Sequence, residues 1–232
     1  MQVRVGSVAG AVVVAVALAA TLGGCAKSAD GAGKSASSAS SDAQSEGARE
    51  TATASGGSIG AAGSACELPV RFDIAKRWKA RAIDAEAELS KASKGSDGDL
   101  SGSLADAFLR QGPVTAACEI DAKPAGHIGF LRVWTGKAGK ADAGSVLRGF
   151  VAAEDNAGKA KYHSFRTGGG LTGVEVEYLY TSKLLDETKK ETALAVGTPD
   201  GPVVLHLGGM DSEEHEAMRP AYELAKQTLE LS

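Results

Sequence analysis

The chain has 232 residues, 25 Lys and Arg against 29 Asp and Glu for a formal charge of −4, and three cysteines. No basic run or stripe occurs along it, which argues against nucleic acid as a partner and against an electrostatic grip on anionic lipid. All the aromatic residues lie between 66 and 232, so a first part poor in core formers precedes a second part large enough for one domain with its own core.

The N-terminus opens with one positive charge, Arg4, and an apolar run from Val8 to Leu22 that ends in Leu22-Gly23-Gly24-Cys25. This is the pattern of a secretory signal with small residues before its cut, and it resembles the cleavage box of bacterial lipoproteins. The resemblance implies cleavage before Cys25 and a diacylglycerol on its sulfur, two acyl chains where a single myristoyl chain gives only marginal anchoring. An uncleaved membrane helix is the alternative, since residues 5–24 are uncharged and long enough to span. Against it, no Lys or Arg cluster follows as a stop signal. Either reading leaves the rest of the chain extracytoplasmic, on the cell membrane.

Of the 39 residues 26–64, 28 are Ala, Gly or Ser, and Ile59 is the one large apolar side chain. Such a segment has little apolar surface to set against its ordering entropy, and it is expected to be a disordered tether. As a flexible coil it reaches roughly 35 Å. The expected organisation is a signal peptide over 1–24, lipidated Cys25 and tether over 25–65, and a single domain over 66–232. Once Cys25 is lipidated, only Cys66 and Cys118 remain, and in an oxidising compartment they have one intramolecular pairing. Free buried thiols or a metal pair are the alternatives, and no further soft ligand lies near them for zinc.

Within the domain, Leu68, Val70, Phe72 and Ile74 alternate as one face of a strand, and Trp78, Ala80 and Ala82 continue the pattern. Residues 84–94 are rich in helix formers and predict a short exposed helix. In 96–104, Asp97, Asp99 and Ser101 before Gly102 copy the first half of an EF-hand calcium loop, but the twelfth position is Phe108 rather than an acid. A solvated loop is expected there, with a helix capped by Ser103 and running to Gln111. Gly112-Pro113 ends it, and residues 114–120 lead through Cys118 toward a strand over 127–135.

That strand has apolar residues on both faces, Ile128, Phe130 and Trp134 on one and Leu131 and Val133 on the other, as a central strand does. Arg132 shares the face of Trp134. The pair is the candidate ligand site, a cation held over an indole; the alternative is Arg132 emerging at the sheet margin with its stem packed on Trp134. Residues 142–154 predict a helix with Val146, Leu147, Phe150 and Val151 on one face, and 161–167 a strand. Gly168-Gly169-Gly170-Leu171-Thr172-Gly173 has the glycine spacing of a dinucleotide fingerprint, but a strand over 174–180 follows instead of a helix, so the expectation is a hairpin loop and no nucleotide. Pro199-Asp200-Gly201-Pro202 joins two strands over 191–196 and 203–207, with His206 facing away from Val203, Leu205 and Leu207. Asp211 or Ser212 caps a last helix, which Pro220 is expected to interrupt before Ala221, Tyr222, Ala225 and Leu229 restore its apolar face.

The usual hydrolase and metalloprotease signatures are missing, and His127, His163, His206 and His215 are scattered singly along the chain. No enzyme activity, cofactor or metal is expected from them. The order of elements resembles the PsbP-like fold shared with LpqN-type actinobacterial lipoproteins, carried by Phe72-Asp73-Ile74 with Trp78, the 173–180 and 201–207 strands and the 224–229 helix. The stretch Cys118-Glu119-Ile120-Asp121-Ala122-Lys123-Pro124-Ala125-Gly126 also looks like one found in streptomycete lipoproteins. The resemblance implies a non-enzymatic envelope accessory protein and carries no catalytic residue; the insertion over 84–103 departs from the simplest form of the fold. The expected molecule is an α+β domain, an antiparallel sheet of about six strands with helices packed on it. It acts as a monomeric binding or regulatory module for an envelope protein or lipid, with an envelope enzyme or a structural protein as the alternatives.

Overall fold

The computed structural model describes residues 53–94 and 98–232. The signal segment, Cys25, the tether as far as residue 52 and Asp97 lie outside the described residues. In chain order the elements are β1 (Ser55–Ile59), β2 (Val70–Ala75), β3 (Lys79–Ala82), α1 (Ala85–Ser93), α2 (Gly98–Leu109), β4 (Arg110–Gln111), β5 (Val114–Asp121), β6 (Gly129–Gly136) and α3 (Ala143–Ala152). After these come β7 (Ala157–Arg166), β8 (Thr172–Ser182), β9 (Glu187–Thr198), β10 (Gly201–Gly209), α4 (Ser212–Thr228) and β11 (Glu230–Leu231).

The architecture is α+β. One antiparallel sheet runs β3-β5-β6-β10-β9-β8-β7 with β4 paired to β5, eight strands among the described residues rather than the six expected. A second, three-stranded sheet has the order β1-β2-β11. Strands β6 and β10 occupy the middle of the large sheet, which is why Leu131 and Val133 are buried on one face and Trp134 on the other, and why every residue of β10 is buried.

Each face of the large sheet has its own core. On one, Met218, Tyr222, Ala225 and Leu229 of α4 and Val70, Phe72 and Ile74 of β2 pack with Ile120, Leu131, Val133, Leu194, Leu205 and Leu207. On the other, Val146, Leu147, Phe150 and Val151 of α3 pack on Ala116, Trp134, Val176, Ala193, Ala195 and Val204. Each large apolar side chain removed from water in these cores contributes about 1.5–3 kcal/mol. Asp142 and Asp211 cap the two helices, accepting from the backbone N–H of Ser145 at 2.7 Å and Glu214 at 2.8 Å.

Four local expectations are corrected. The folded unit begins before residue 66: Ser55–Ile59 adds to β2 as an edge strand, so residues 55–59 belong to the domain and not to the tether. Gly60, at φ +112°, makes the turn possible; a Cβ there would stand 2.0 Å from the Val70 carbonyl oxygen. The stretch expected as a Ser/Gly/Asp loop is helical from Gly98, and α2 ends at Leu109 instead of Gln111. It packs along α1 and sends Leu109 into the second core. Pro220 does not interrupt α4, which runs from Ser212 to Thr228 because Met218, Ala221 and Tyr222 on both sides of the proline are held in the core.

The Cys66–Cys118 disulfide joins the loop after Ile59 to β5, with Cα atoms 6.0 Å apart. Thr172 and Gly173 open β8, and the preceding glycines form the β7–β8 turn. Their smallness has a packing reason. Gly168 donates its N–H to the Gln227 carbonyl at 2.9 Å, and Cβ atoms at Gly168 and Gly169 would fall 2.5 Å from the Gln227 oxygen and from the Glu230 Cβ. Glycine lets this turn lie against the end of α4.

Candidate functional site

On the face that carries α3, the helix covers only part of the sheet. Beyond Phe150 the strands turn outward a different set of residues: Phe130 and Arg132 from β6, Tyr178 and Tyr180 from β8, Lys189 and Glu191 from β9, and His206 from β10. The period of two puts each pair on one face. Antiparallel register then sets His206 opposite Arg132 and Glu191 opposite Tyr178. A cavity of about 260 Å3 opens here, with Phe108 of α2 at its mouth.

The polar groups inside are tied to one another. His206 Nε2 lies 2.9 Å from Glu191 and 3.3 Å from the Tyr178 hydroxyl, which donates to Glu154 at 2.7 Å. Lys189 Nζ lies 2.7 Å from the other Glu191 oxygen and donates to the Gly209 carbonyl at 2.8 Å. Arg132 pairs with Glu119. Its guanidinium stands 4.4 Å from the centre of the Phe130 ring and 5.5 Å from that of Trp134.

Arg132 and Trp134 are therefore neighbours on one face, as expected, but with unequal access. Trp134 is 2 % exposed, edge-on to Phe150 at 5.5 Å, and forms the floor of the cavity. Arg132 is half-buried on a central strand and does not emerge at a sheet margin. Its Nε and the Trp134 indole N–H are buried without a hydrogen-bond partner. Large apolar side chains reach solvent nearby: Phe108 lines the cavity, and Ile128 and Met210, joined by a backbone hydrogen bond, lie just past the ends of β6 and β10.

The four histidines go to separate partners, His127 to Glu214, His163 to Glu175, His206 to Glu191 and His215 to Thr192. Among the described residues no three His, Cys, Asp or Glu side chains are placed to hold a metal ion, and no helix is long and apolar enough to cross a membrane. Of the calcium-like stretch, Asp97 lies outside the described residues and residues 98–104 are helical backbone, which is not the geometry of an EF-hand loop.

The model of a family described as uncharacterised lipoproteins matches residues 35–229. The chain belongs to that family. Both kinds of protein that the sequence resembles are among the solved structures similar to it. One is cyanobacterial PsbP (CyanoP) from Synechocystis sp. PCC 6803, at 12 % identity and a TM-score of 0.44 over 76 % of this chain and 98 % of that one. Another is LpqN, described as involved in cell envelope biogenesis of Mycobacterium tuberculosis, at 14 % identity and a TM-score of 0.36 over 50 % of this chain and 71 % of that one. No curated protein matches the chain.

In this lipoprotein the titration of the site follows from its geometry. Burial would raise the Glu191 pKa, but His206 and Lys189 outweigh it and hold the carboxyl below its ordinary range. Burial, and then the charges of Glu154 and Glu191, push the Tyr178 phenol well above its ordinary value, so it remains a donor. Glu154, Tyr178, Lys189 and Glu191 are the residues that sequence reasoning missed. A signal existed in the polar side chains at alternate positions of β9, opposite in kind to Ala193 and Ala195 on the same face, but it points outward until β10 supplies His206 beside them.

Proposed function

We propose that the protein is an extracytoplasmic lipoprotein, anchored to the cell membrane by lipid on Cys25, whose domain is a non-enzymatic binding module for another envelope protein. Membership of a lipoprotein family and the signal pattern ending at Cys25 support the anchor. The observation that carries the binding role is the uncovered part of the α3 face, where exposed Phe108 lines a cavity with a fixed polar centre and exposed Ile128 and Met210 lie just past the ends of the strands β6 and β10 that border it. Apolar side chains about an ordered polar cluster suit a protein surface. An anionic lipid headgroup finds no spare cation there, because Arg132 and Lys189 are matched by Glu119 and Glu191.

Two features favour binding over catalysis. Among the described residues no Ser, Thr or Cys side chain lines the cavity to serve as a nucleophile, and the His206 Nε2 and Tyr178 hydroxyl are engaged with carboxylates. The test is a photoreactive amino acid placed at position 108, 128 or 210 in cells carrying the full chain. A discrete adduct with one protein is expected, absent when the probe sits at Arg71 on β2, which packs with α4 on the other face of the sheet. Adducts no different from those of the Arg71 probe would refute the role. Metabolic labelling with palmitate, lost in Cys25→Ala, reads the anchor separately.

A further inference from the structure

On the opposite face of the large sheet, α4 packs over β9 and β10 and reaches β8 and β7 through Arg219 and Lys226, which pair with Glu177 and Glu175, and through Phe165. Between the helix and β7–β9 runs a groove of about 310 Å3. Its floor is set by register: Lys161, Glu177 and Thr192 stand side by side on β7, β8 and β9, with Leu179 and Lys190 paired in the neighbouring row. Arg219, His215 and Glu216 make the wall.

The charge in this groove is unbalanced. Lys159, Lys161, Lys190 and Arg219 line it against the carboxylates of Glu177 and Glu216, since Glu191, which also borders it, pairs with Lys189 and His206 on the other face. Glu177 is held by Arg219 and Glu216 by Lys190, each at 2.6 Å, and Arg219 also reaches Glu223 at 3.6 Å. Lys159 and Lys161 are left with no carboxylate in salt-bridge reach among the described residues. This local surplus of positive charge lies on a molecule whose formal charge is −4.

Two further observations point the same way. Lys159 sits at φ +53°, in the bulge of β7 between Gly158 and Lys161, a conformation that a side chain disfavours and a glycine would take freely. In the wall, His215 Nε2 lies 3.0 Å from the Thr192 hydroxyl, while its buried Nδ1 has no partner among the described residues. A buried polar atom without a partner calls for an explanation, and it belongs here to a residue that lines the groove.

We propose that this groove binds a phosphate-bearing anion. Lys159 and Lys161 supply the uncommitted charge, while Arg219 and Lys190, each held by a carboxylate, border the groove. A phosphate of this kind comes either from a lipid headgroup at the membrane surface or from a free phosphate ester, and the two are separable. The full chain in neutral detergent micelles is titrated calorimetrically with inorganic phosphate, with glycerol 3-phosphate, and with phosphatidylglycerol or phosphatidylcholine mixed into the micelles. Saturable binding of at least one phosphate-bearing anion is expected, weakened tenfold or more in Lys159→Ala/Lys161→Ala and unchanged in Lys79→Ala. Binding of phosphatidylglycerol alone assigns the headgroup, and binding of the soluble esters assigns a free phosphate. Absence of saturable binding by all the anions, or equal affinity in the double variant and the wild type at equal melting temperature, overturns the proposal.

Discussion

His206 Nε2 lies 2.9 Å from the Glu191 carboxylate, with both side chains buried on adjacent strands. The residue directly across from His206 is Ala193, so the pair is diagonal, two positions along β9. Glu191 also meets Lys189, two residues before it on the same face of β9, and one carboxylate thereby orders two cationic or polar groups in the cavity.

Removing the carboxylate leaves His206 and Lys189 without their shared partner. Breaking a buried pair from one side costs about 3–5 kcal/mol. Lys189 retains some access to water, so Glu191→Ala is expected near the lower end, about 3 kcal/mol. Urea unfolding at neutral pH measures it, and a loss below about 1 kcal/mol would show that the network does not hold the strands together.

His215 predicts a pH dependence. Burial lowers its pKa from the ordinary 6.5, so the folded protein binds this proton less readily than the unfolded chain. The contribution is complete above the unfolded value and is lost as pH falls below it toward the folded one. Stability followed by denaturant titration should therefore decline below about pH 6.5 in the wild type and decline less in His215→Gln, whose amide can still meet Thr192. Parallel curves for the two proteins would contradict the assignment.

The Cys66–Cys118 bond closes a sequence separation of 52 residues. In the chain-entropy model such a loop is worth about 4 kcal/mol, through restriction of the unfolded state. Cys66→Ser/Cys118→Ser should lower the urea midpoint accordingly, and a reducing agent should reproduce the loss in the wild type while leaving the double variant unchanged.

Gly60 tests the early start of the domain. At φ +112°, with a Cβ directed onto the Val70 carbonyl, Gly60→Ala forces the turn between β1 and the Cys66 loop to move. Backbone strain of this kind costs about 1–3 kcal/mol. Gly57, also at positive φ but with open space around its Cβ position, is the control that separates strain from collision. Equal melting temperatures for Gly60→Ala and Gly57→Ala would mean that the close approach to β2 is not maintained in solution.

Much of the fold is legible in residue order because a strand or helix with one buried face repeats its apolar residues at its own period. Val70, Phe72 and Ile74 announce β2, Val146, Leu147, Phe150 and Val151 announce α3, and the two apolar faces of β6 announce its central place. Elements without such a pattern are not legible. Ser55–Ile59 has no apolar alternation and becomes a strand only because β2 offers it an edge. The Ser, Gly and Asp of α2 have weak helix propensity, yet the segment packs along α1 and anchors Leu109 in a core.

The sequence by itself determined the α+β class, the single intramolecular pairing open to Cys66 and Cys118 and the shared face of Arg132 and Trp134, since periodicity and cysteine arithmetic are local or combinatorial properties, while the structure decided that the two cysteines are bonded. Only the tertiary structure decided that Trp134 is a floor, that Glu191 serves both His206 and Lys189, and that Lys159 and Lys161 face Arg219 across a groove. Those relationships join residues from strands and helices far apart in the chain. They depend on register and on which part of a sheet a helix leaves uncovered, and neither quantity is written in the spacing of residues along one segment.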